Sequence, residues 1–277
     1  MRQDTPPQMD PAIVWLATLA APQSPKEYLL AQPSTLLIKS GQVKPPFDPR
    51  KALPPSVKRV DVAKLSRDGM LVPVEGGFII KLNSQRPLVR QRFACAHEIG
   101  HTFFYDLSGP RPWRPSQSVS SYWAEEDLCY QFAEEMLMPS LQIKRVAGGL
   151  SPAMDNFLQV RDTFGVSNEA LCRKIARLNL WRCIFVILSS DAKTSALKRK
   201  TVRKHDYYEN FSFDWDRLLS PDSLAYTALM DPGVVKRSTI SGRELFRRGG
   251  QREQWCIESI GFGNSVSERV VIMIMPE

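Results

Sequence analysis

The 277-residue chain has the composition of a globular protein, with 43% hydrophobic residues, 24% charged residues and a formal net charge of +8. This length corresponds to about two domains of ~150 residues each, and the composition excludes collagen-like, wholly disordered and small disulfide-stapled proteins. The longest apolar runs, 15–21 and 183–188, fall short of the ~18 residues that a membrane span needs.

Elements are predicted along the whole chain from apolar periodicity, capping residues and prolines. Asp10-Pro11 and Ser24 mark the starts of two short helices. Glu75-Gly76-Gly77 separates two apolar runs, which is typical of a β-hairpin, and Pro73 places the first run at a sheet edge. The predicted elements are a flexible tail (1–9), helices (13–19 and 24–30), hairpin strands (71–74 and 78–82), helices (88–105, 122–138, 152–164 and 168–179, the last with Ser167 as N-cap) and strands (183–188, 255–260 and 270–275).

The cysteines and the N-terminal region predict the compartment. The five cysteines form no CxxC pair, and their odd number favours reduced thiols over a disulfide framework. The first residues lack a basic segment followed by a long apolar run, so we expect no secretory signal. These features favour a cytoplasmic protein that does not contact membranes.

The segment His97-Glu98-Ile99-Gly100-His101 matches the HExxH metal-binding motif on a predicted helix. Histidines four residues apart point the same way on a helix, so both imidazoles can hold one metal ion. Glu98 follows the first of them and can take a proton from water at the open metal position. The chain has three histidines, and two of them lie in this motif.

A zinc ion held by two histidines needs a third protein ligand. The acidic cluster of Glu125, Glu126 and Asp127 begins the next long helix, but spacing does not choose among the three. His205 lies 104 residues after His101, beside a basic run, and is a poor candidate. Residues 97–160 carry eight Asp and Glu against four Lys and Arg, so the motif lies in an acidic part of a basic chain.

Other reactive side chains near the motif are expected to be structural. Cys95 and Cys129 are interpreted as core thiols, and Glu134 and Glu135 as helix surface. The oxyanion of the transition state needs a hydrogen-bond donor besides the metal. Four residues are candidates that the sequence does not rank, namely Tyr105, Tyr122, His205 and Tyr207. Residues of these types more often serve packing than catalysis.

At these residues the sequence resembles the ImmA/IrrE metallopeptidases. The resemblance lies in Asn83-Ser84 at a strand end, in RQRFA at 90–94, in AHEIGH at 96–101 and in FAEEMLMP at 132–139. In that family the third zinc ligand is a Glu twelve residues before the Met of the LMP ending, which corresponds here to Glu126. Two positions depart from the family: Cys95 stands where Leu is usual, and Tyr130 where Asn is frequent.

The resemblance implies an α+β fold with a zincin-like peptidase domain, in which a small antiparallel sheet packs on helices that include the HExxH helix. We expect this domain at 10–150, a helix-turn-helix-like segment that closes it at 151–189, and a smaller C-terminal α/β domain at 190–277 that regulates or docks. The implied activity is a zinc-dependent endopeptidase, with Mn²⁺ as an alternative metal. The implied partner is a helix-turn-helix repressor, whose cleavage relieves repression of stress-response or mobile-element genes.

In this interpretation His97, His101 and Glu126 bind the metal and Glu98 is the general base. The strand at 78–83 is predicted to be an edge that pairs with an extended substrate. Phe78, Ile80 and Leu82 of that strand, together with Tyr105, are the candidate substrate-binding residues.

Two other classes of function stay open. The helix at 168–179 has a basic face at Arg173, Lys174 and Arg177, which a DNA-binding regulator with a vestigial metal site would use. The basic run at 198–204 is interpreted as an inter-domain linker rather than a phosphate contact. The third hypothesis is a protein that docks a repressor without cutting it, and the presence of Glu98 argues against both alternatives.

Overall fold

The computed structural model describes residues 11–114, 119–190, 196–264 and 267–277. The predicted tail at 1–9 lies outside these residues. The chain divides into two compact units, Met1–Ser140 with Phe164–Val166, and Leu141–Thr163 with Ser167–Glu277. No described helix combines the length and the apolar character that crossing a membrane requires.

The first unit holds the HExxH motif. Its elements are α1 (Pro11–Ala20), α2 (Pro25–Lys39), β1 (Val57–Ala63), β2 (Gly69–Val74), β3 (Gly77–Asn83), α3 (Leu88–His101) and α4 (Val119–Leu137), with short 3-10 helices at Pro49–Lys51 and Thr102–Phe104.

Helix α2 begins as predicted, at a capping box. The Ser24 hydroxyl accepts a hydrogen bond from the Glu27 backbone N–H, and the Ser24 backbone N–H donates to the Glu27 carboxylate. The helix continues to Lys39, nine residues beyond the predicted end at 30, with Pro33 buried inside it.

The sheet of the first unit has the strand order β1-β3-β2. Strands β2 and β3 form the predicted antiparallel hairpin around Glu75 and Gly76, and Pro73 lies on the edge strand β2 as expected. Two expectations are wrong. The sheet is mixed, because β1 runs parallel to β3, and β3 is therefore the central strand instead of an edge. Strand β1 was not predicted, since its sequence VKRVDVA carries charges at three of seven positions.

The central position of β3 explains its apolar side chains. Phe78, Ile80 and Leu82 are each 0% exposed. They are core residues of a central strand, which has no free edge for the substrate pairing that was expected of it.

Asn83 is the last residue of β3, and its side chain forms hydrogen bonds with the connection between β1 and β2. Its side chain is buried; the Nδ2 amide donates to the carbonyls of Leu65 and Arg67, and Oδ1 accepts from the Gln85 backbone N–H. One buried amide thus satisfies three backbone groups of two loops, which accounts for an Asn at the end of this strand.

The second unit combines helices with a larger sheet. Its elements are α5 (Ser140–Ala147, which starts at the last residue of the first unit), α6 (Met154–Phe164), α7 (Asn168–Arg177), β4 (Ile184–Ser190), β5 (Leu197–Lys204), β6 (Ser212–Phe213), α8 (Trp215–Leu218), α9 (Leu224–Met230), β7 (Lys236–Ser241), α10 (Gly242–Leu245), β8 (Phe246–Arg248), β9 (Gln254–Asn264) and β10 (Ser267–Pro276).

Its main sheet has the order β5-β4-β10-β9-β7, and each of these pairings is antiparallel. The basic run expected to be a linker is strand β5, on the edge of this sheet, where lysines protect an open edge from pairing. The predicted strands at 255–260 and 270–275 lie within β9 and β10. An antiparallel sheet makes this part α+β rather than α/β.

The predicted helix pair is present as α6 and α7, and the Ser167 hydroxyl caps α7 by accepting from the Ala170 backbone N–H. The division into units differs from the predicted boundaries. It groups most of 151–189 with the C-terminal strands, whereas the sequence analysis expected this segment to close the catalytic domain.

Candidate metal centre

The candidate site is formed where α3 and α4 approach closely. Gly100 of α3 lies against Cys129 of α4, and a Cβ at position 100 would be 3.3 Å from the Cys129 Cα. Any larger side chain at 100 would hold the helices apart. Cys129 and Cys95 are each 0% exposed, in agreement with the prediction that both are core thiols.

Three potential ligands converge at this approach. The Nε2 atoms of His97 and His101 are 3.1 Å apart. The Glu126 carboxylate reaches both rings, with one oxygen 3.2 Å from His97 Nε2 and the other 3.4 Å from His101 Nε2. The structure therefore brings together the two histidines of the motif and the glutamate that the family register implies.

These separations fit a zinc ion. Ligand atoms ~2.1 Å from a tetrahedral zinc lie about 3.4 Å from one another. The three measured donor separations of 3.1, 3.2 and 3.4 Å are close to that value. Two imidazole nitrogens and a carboxylate oxygen are also a donor set that zinc prefers, and three protein ligands leave a fourth position open.

Glu98 lies beside this group, against the edge strand. A Cβ on Gly69, the first residue of β2, would lie 3.3 Å from the Glu98 Oε1 atom, so glycine makes room for the carboxylate. Burial raises the pKa of Glu98, and the nearby His101 and His97 oppose the rise. In Glu126, by contrast, hydrogen bonds from His101 and His97 lower the pKa.

The structure distinguishes the three acidic residues among which spacing could not choose a third ligand. Glu125 is 1% exposed and lies on the other side of the His101 ring, with Oε1 2.6 Å from His101 Nδ1. Its second oxygen is 2.6 Å from the Arg114 Nη2 atom. Asp127 accepts a hydrogen bond from Gln131 on its own helix instead.

A second potential ligand group shares His101 with the first. His101, Glu125 and Cys129 each offer a ligand atom within 4.8 Å of the others. Cys129 is fully buried, and burial raises its pKa to about 11, which disfavours the thiolate that zinc binds. The Glu125 carboxylate is also paired with Arg114. The first group is the better metal site.

Two tyrosines near the site have surroundings that the sequence analysis did not predict. Tyr130, noted only as a departure from the family, has its ring centroid 4.7 Å from that of His97. It lies four residues after Glu126, so helical spacing could have placed it on the same face. Tyr105 is half-buried and packs on Phe78 and under the Arg114 guanidinium.

His205 and Tyr207 belong to the second unit, where His205 Nδ1 accepts from the Tyr207 backbone N–H. The Tyr122 side chain is outside the described residues. Glu134 is 0% exposed, contrary to the expectation of helix surface, whereas Glu135 accepts hydrogen bonds from the backbone N–H and hydroxyl of Ser140, just beyond α4.

Comparison with known proteins places this site in a family context. Residues 58–176 match the family described as peptidase M78, IrrE N-terminal-like domain. Among solved structures, a Mycobacterium tuberculosis transcriptional regulator is similar, with a TM-score of 0.54 and 13% sequence identity over 90% of this chain and 87% of that chain. At this identity the likeness concerns the fold alone. A comparison with curated proteins gives no match.

Proposed function

Through residues 58–176 the chain belongs to the ImmA/IrrE metallopeptidases, and from this premise we propose that it is a zinc-dependent endopeptidase that cleaves a DNA-binding transcriptional repressor. Such cleavage would relieve repression of stress-response or mobile-element genes. Mn²⁺ is an alternative metal.

The observation that carries this proposal is the convergence of His97, His101 and Glu126 at near-tetrahedral separations. A site that served structure alone would need a fourth protein ligand to close it. Here a fourth position is left for water or substrate, with Glu98 close by. This combination is what hydrolysis of a peptide bond requires.

The chemistry then divides between the ion and the chain. A zinc ion held by His97, His101 and Glu126 would polarise the scissile carbonyl and acidify a water molecule. Glu98 removes a proton from that water as it attacks the carbonyl carbon. As the C–N bond breaks, Glu98 returns the proton to the leaving amine, so the base is regenerated.

The edge strand β2 is the better candidate for substrate pairing than β3. The Asn83 backbone N–H donates to the Asp68 carbonyl, so the alternation of an antiparallel pair turns the peptide groups of Gly69 and Leu71 away from β3. An extended substrate could pair with these groups, and Gly69 lies against the Glu98 carboxylate. Pro73 offers no N–H, which limits the pairing to the end of β2 nearest Glu98.

A comparison of two strains tests the proposal. One strain makes the wild-type protein and the other Glu98→Gln, and quantitative proteomics identifies a repressor-sized protein that accumulates only in the mutant. The purified candidate is then incubated with each protein and Zn²⁺ or Mn²⁺. We expect cleavage by the wild type and by the control Glu75→Gln, an exposed glutamate on the β2–β3 turn, and no cleavage by Glu98→Gln.

The alternatives predict different results. Zinc binding without cleavage of any accumulating protein would refute the peptidase and favour a repressor-docking protein. Salt-sensitive DNA binding by a protein that does not cleave would favour a regulator with a vestigial metal site.

A further inference from the structure

The Glu125 side chain is a buried carboxylate whose two oxygens have different partners. It is 1% exposed, and its oxygens lie 2.6 Å from His101 Nδ1 and 2.6 Å from Arg114 Nη2. A buried charge of this kind is costly unless it is paired and hydrogen-bonded. Here Arg114 supplies the opposite charge, and His101 supplies a hydrogen-bond donor.

This arrangement fixes which nitrogen of His101 carries the proton. An ionised carboxylate only accepts hydrogen bonds, so His101 must donate from Nδ1. When the ring is neutral, its Nε2 atom then keeps a lone pair directed toward His97 and Glu126. The neutral ring with a free Nε2 is the form that binds a metal.

His97 is held in another way. Its Nδ1 atom is buried and has no hydrogen-bond partner in the part of the chain that the structure describes. Its ring packs beside Phe93 and Tyr130, with centroid distances of 6.4 and 4.7 Å. Of the two histidines, His101 is thus the one whose Nδ1 atom is oriented by a hydrogen bond.

Arg114 is itself held in place by the segment that carries it. Asp106 and Trp113 exchange two backbone hydrogen bonds of 2.9 Å. The Pro110 carbonyl accepts from the Gly76 backbone N–H on the β2–β3 turn, and the Arg114 guanidinium lies 5.4 Å from the centre of the Tyr105 ring. The position of the guanidinium therefore depends on the fold of residues 105–114.

We propose that Arg114 and Glu125 are positioning residues, which hold the His101 ring with Nε2 directed into the three-ligand site. The proposal rests on the proposed function for the identity of the metal, and it adds a loop residue on which metal affinity depends. In this role neither residue is itself a ligand of the ion. Loss of either leaves the three ligands in the chain but leaves His101 unoriented.

The first measurement uses the metal-free protein. Long-range ¹H–¹⁵N correlation spectra report the tautomer of each imidazole, and the chain has only three histidines to assign. In the wild type we expect His101 to be protonated at Nδ1. We expect a mixture of tautomers in Glu125→Ala, and the wild-type tautomer in Glu125→Gln, because the glutamine carbonyl still accepts from Nδ1.

The second measurement is a competitive titration with Zn²⁺ alone. Loss of a residue that orients a metal ligand typically weakens binding about 10- to 100-fold. We expect a loss of this size in Glu125→Ala, and a loss of about tenfold both in Arg114→Ala and in Glu125→Gln, because glutamine keeps one acceptor for His101 Nδ1 but has no second acceptor for Arg114. The matched control is Arg111→Ala, which removes an exposed arginine of the same segment. Thermal unfolding of each metal-free variant verifies that it is folded.

The outcomes separate the two proposals. If the wild type binds no Zn²⁺, the proposed function fails, and the tautomer spectra still decide the role of Glu125. If Glu125→Ala and Arg114→Ala are folded and bind Zn²⁺ as tightly as Arg111→Ala, the positioning role is wrong. A neutral His101 protonated at Nε2 instead of Nδ1 would also overturn it.

Discussion

Replacing Gly100 tests whether the close approach of α3 and α4 builds the metal centre. A Cβ at this position would lie 3.3 Å from the Cα and Sγ atoms of Cys129 and 3.4 Å from its Cβ. Favourable contacts between carbon atoms are at about 3.5–4.0 Å. The helices would therefore have to separate by a few tenths of an ångström, and Glu126 would move with α4.

The expected loss of stability is the balance of two effects. Overpacking a core costs about 1–3 kcal/mol, whereas alanine is favoured over glycine in a helix by about 0.8–1.0 kcal/mol. For Gly100→Ala we expect the free energy of unfolding to fall by about 0–2 kcal/mol. Gly100→Val adds two more methyl groups and a poorer helix former, so we expect more than about 2 kcal/mol.

Metal affinity should be more sensitive than stability. Metal–ligand distances tolerate deviations of only about 0.2 Å, so the shift of Glu126 should weaken Zn²⁺ binding by about 10- to 100-fold, the range seen when a ligand is disoriented. Urea unfolding of the metal-free protein and competitive Zn²⁺ titration measure the two effects. The control is Gly149→Ala, because the space around Gly149 is open.

A double mutant checks the cause. Cys129→Ala removes one of the three close contacts, so it should partly restore both stability and Zn²⁺ affinity to Gly100→Ala. The reasoning is refuted if Gly100→Val binds Zn²⁺ as tightly as the wild type. Strictly additive effects in the double mutant would show that the strain lies elsewhere.

Three further predictions concern the frame of the molecule. Asn83→Ala removes the buried amide that donates to the carbonyls of Leu65 and Arg67, so urea unfolding should show a loss of about 1–3 kcal/mol, or about 0.5–1.5 kcal/mol for each of the two hydrogen bonds. Ser84→Ala, at the exposed neighbouring residue, should not share this loss. Burial raises the pKa of Cys95 to about 12 and that of Cys129 to about 11, so both thiols should resist alkylation of the folded protein at pH 8. The partly exposed Cys256 should react first. Rapid labelling of Cys95 or Cys129, read by mass spectrometry, would contradict this prediction. Burial alone would raise the pKa of Glu169, but the hydrogen bond from Lys200 lowers it below the usual 4.5. This pair should therefore stabilise the fold above pH 4.5 and lose its effect as the pH falls through the lowered pKa. Lys200→Met should flatten that part of the stability–pH curve, and an unchanged curve would show that the pair contributes nothing.

Sequence patterns predicted the helices of this fold better than its sheets. Apolar periodicity and capping residues predicted α3, α4, α6 and α7, because a helix is specified by its own neighbours in the chain. Strand β1 was missed and the edge strand β5 was interpreted as a linker, because charged residues occupy three of the seven positions in β1 and five of the eight in β5. An edge strand is stabilised by the partner beside it, and single-sequence patterns do not show the partner.

The place of β3 illustrates the same limit. Its run of buried apolar residues is typical of a strand covered on both sides. That signal was present in the sequence, but the parallel partner β1 lies before the hairpin and has no turn to reveal the pairing. The substrate edge was therefore assigned to β3 instead of β2, although Pro73 had already indicated that β2 is an edge.

At the site, spacing within one helix was informative and spacing between helices was not. Positions 97 and 101 share a face of α3 by geometry alone. No comparable rule joins α3 to α4, and the register of the family was needed to favour Glu126. Arg114 could not be distinguished from Arg111 by sequence, since both lie in the same loop and only the folded segment 105–114 turns one of them toward Glu125.

The ambiguity between Glu125 and Glu126 also has a structural basis. Neighbouring residues on a helix point about 100° apart, since 3.6 residues make a turn, so they cannot both approach the same atom. An imidazole, however, has a nitrogen on each of two edges. Because Gly100 lets the helices approach closely, the two carboxylates lie on either side of the His101 ring, Glu126 beside Nε2 and Glu125 beside Nδ1. Adjacent glutamates in α4 are therefore what the site needs, and replacing Glu126 alone would remove the carboxylate beside Nε2 while Glu125 still accepts from Nδ1.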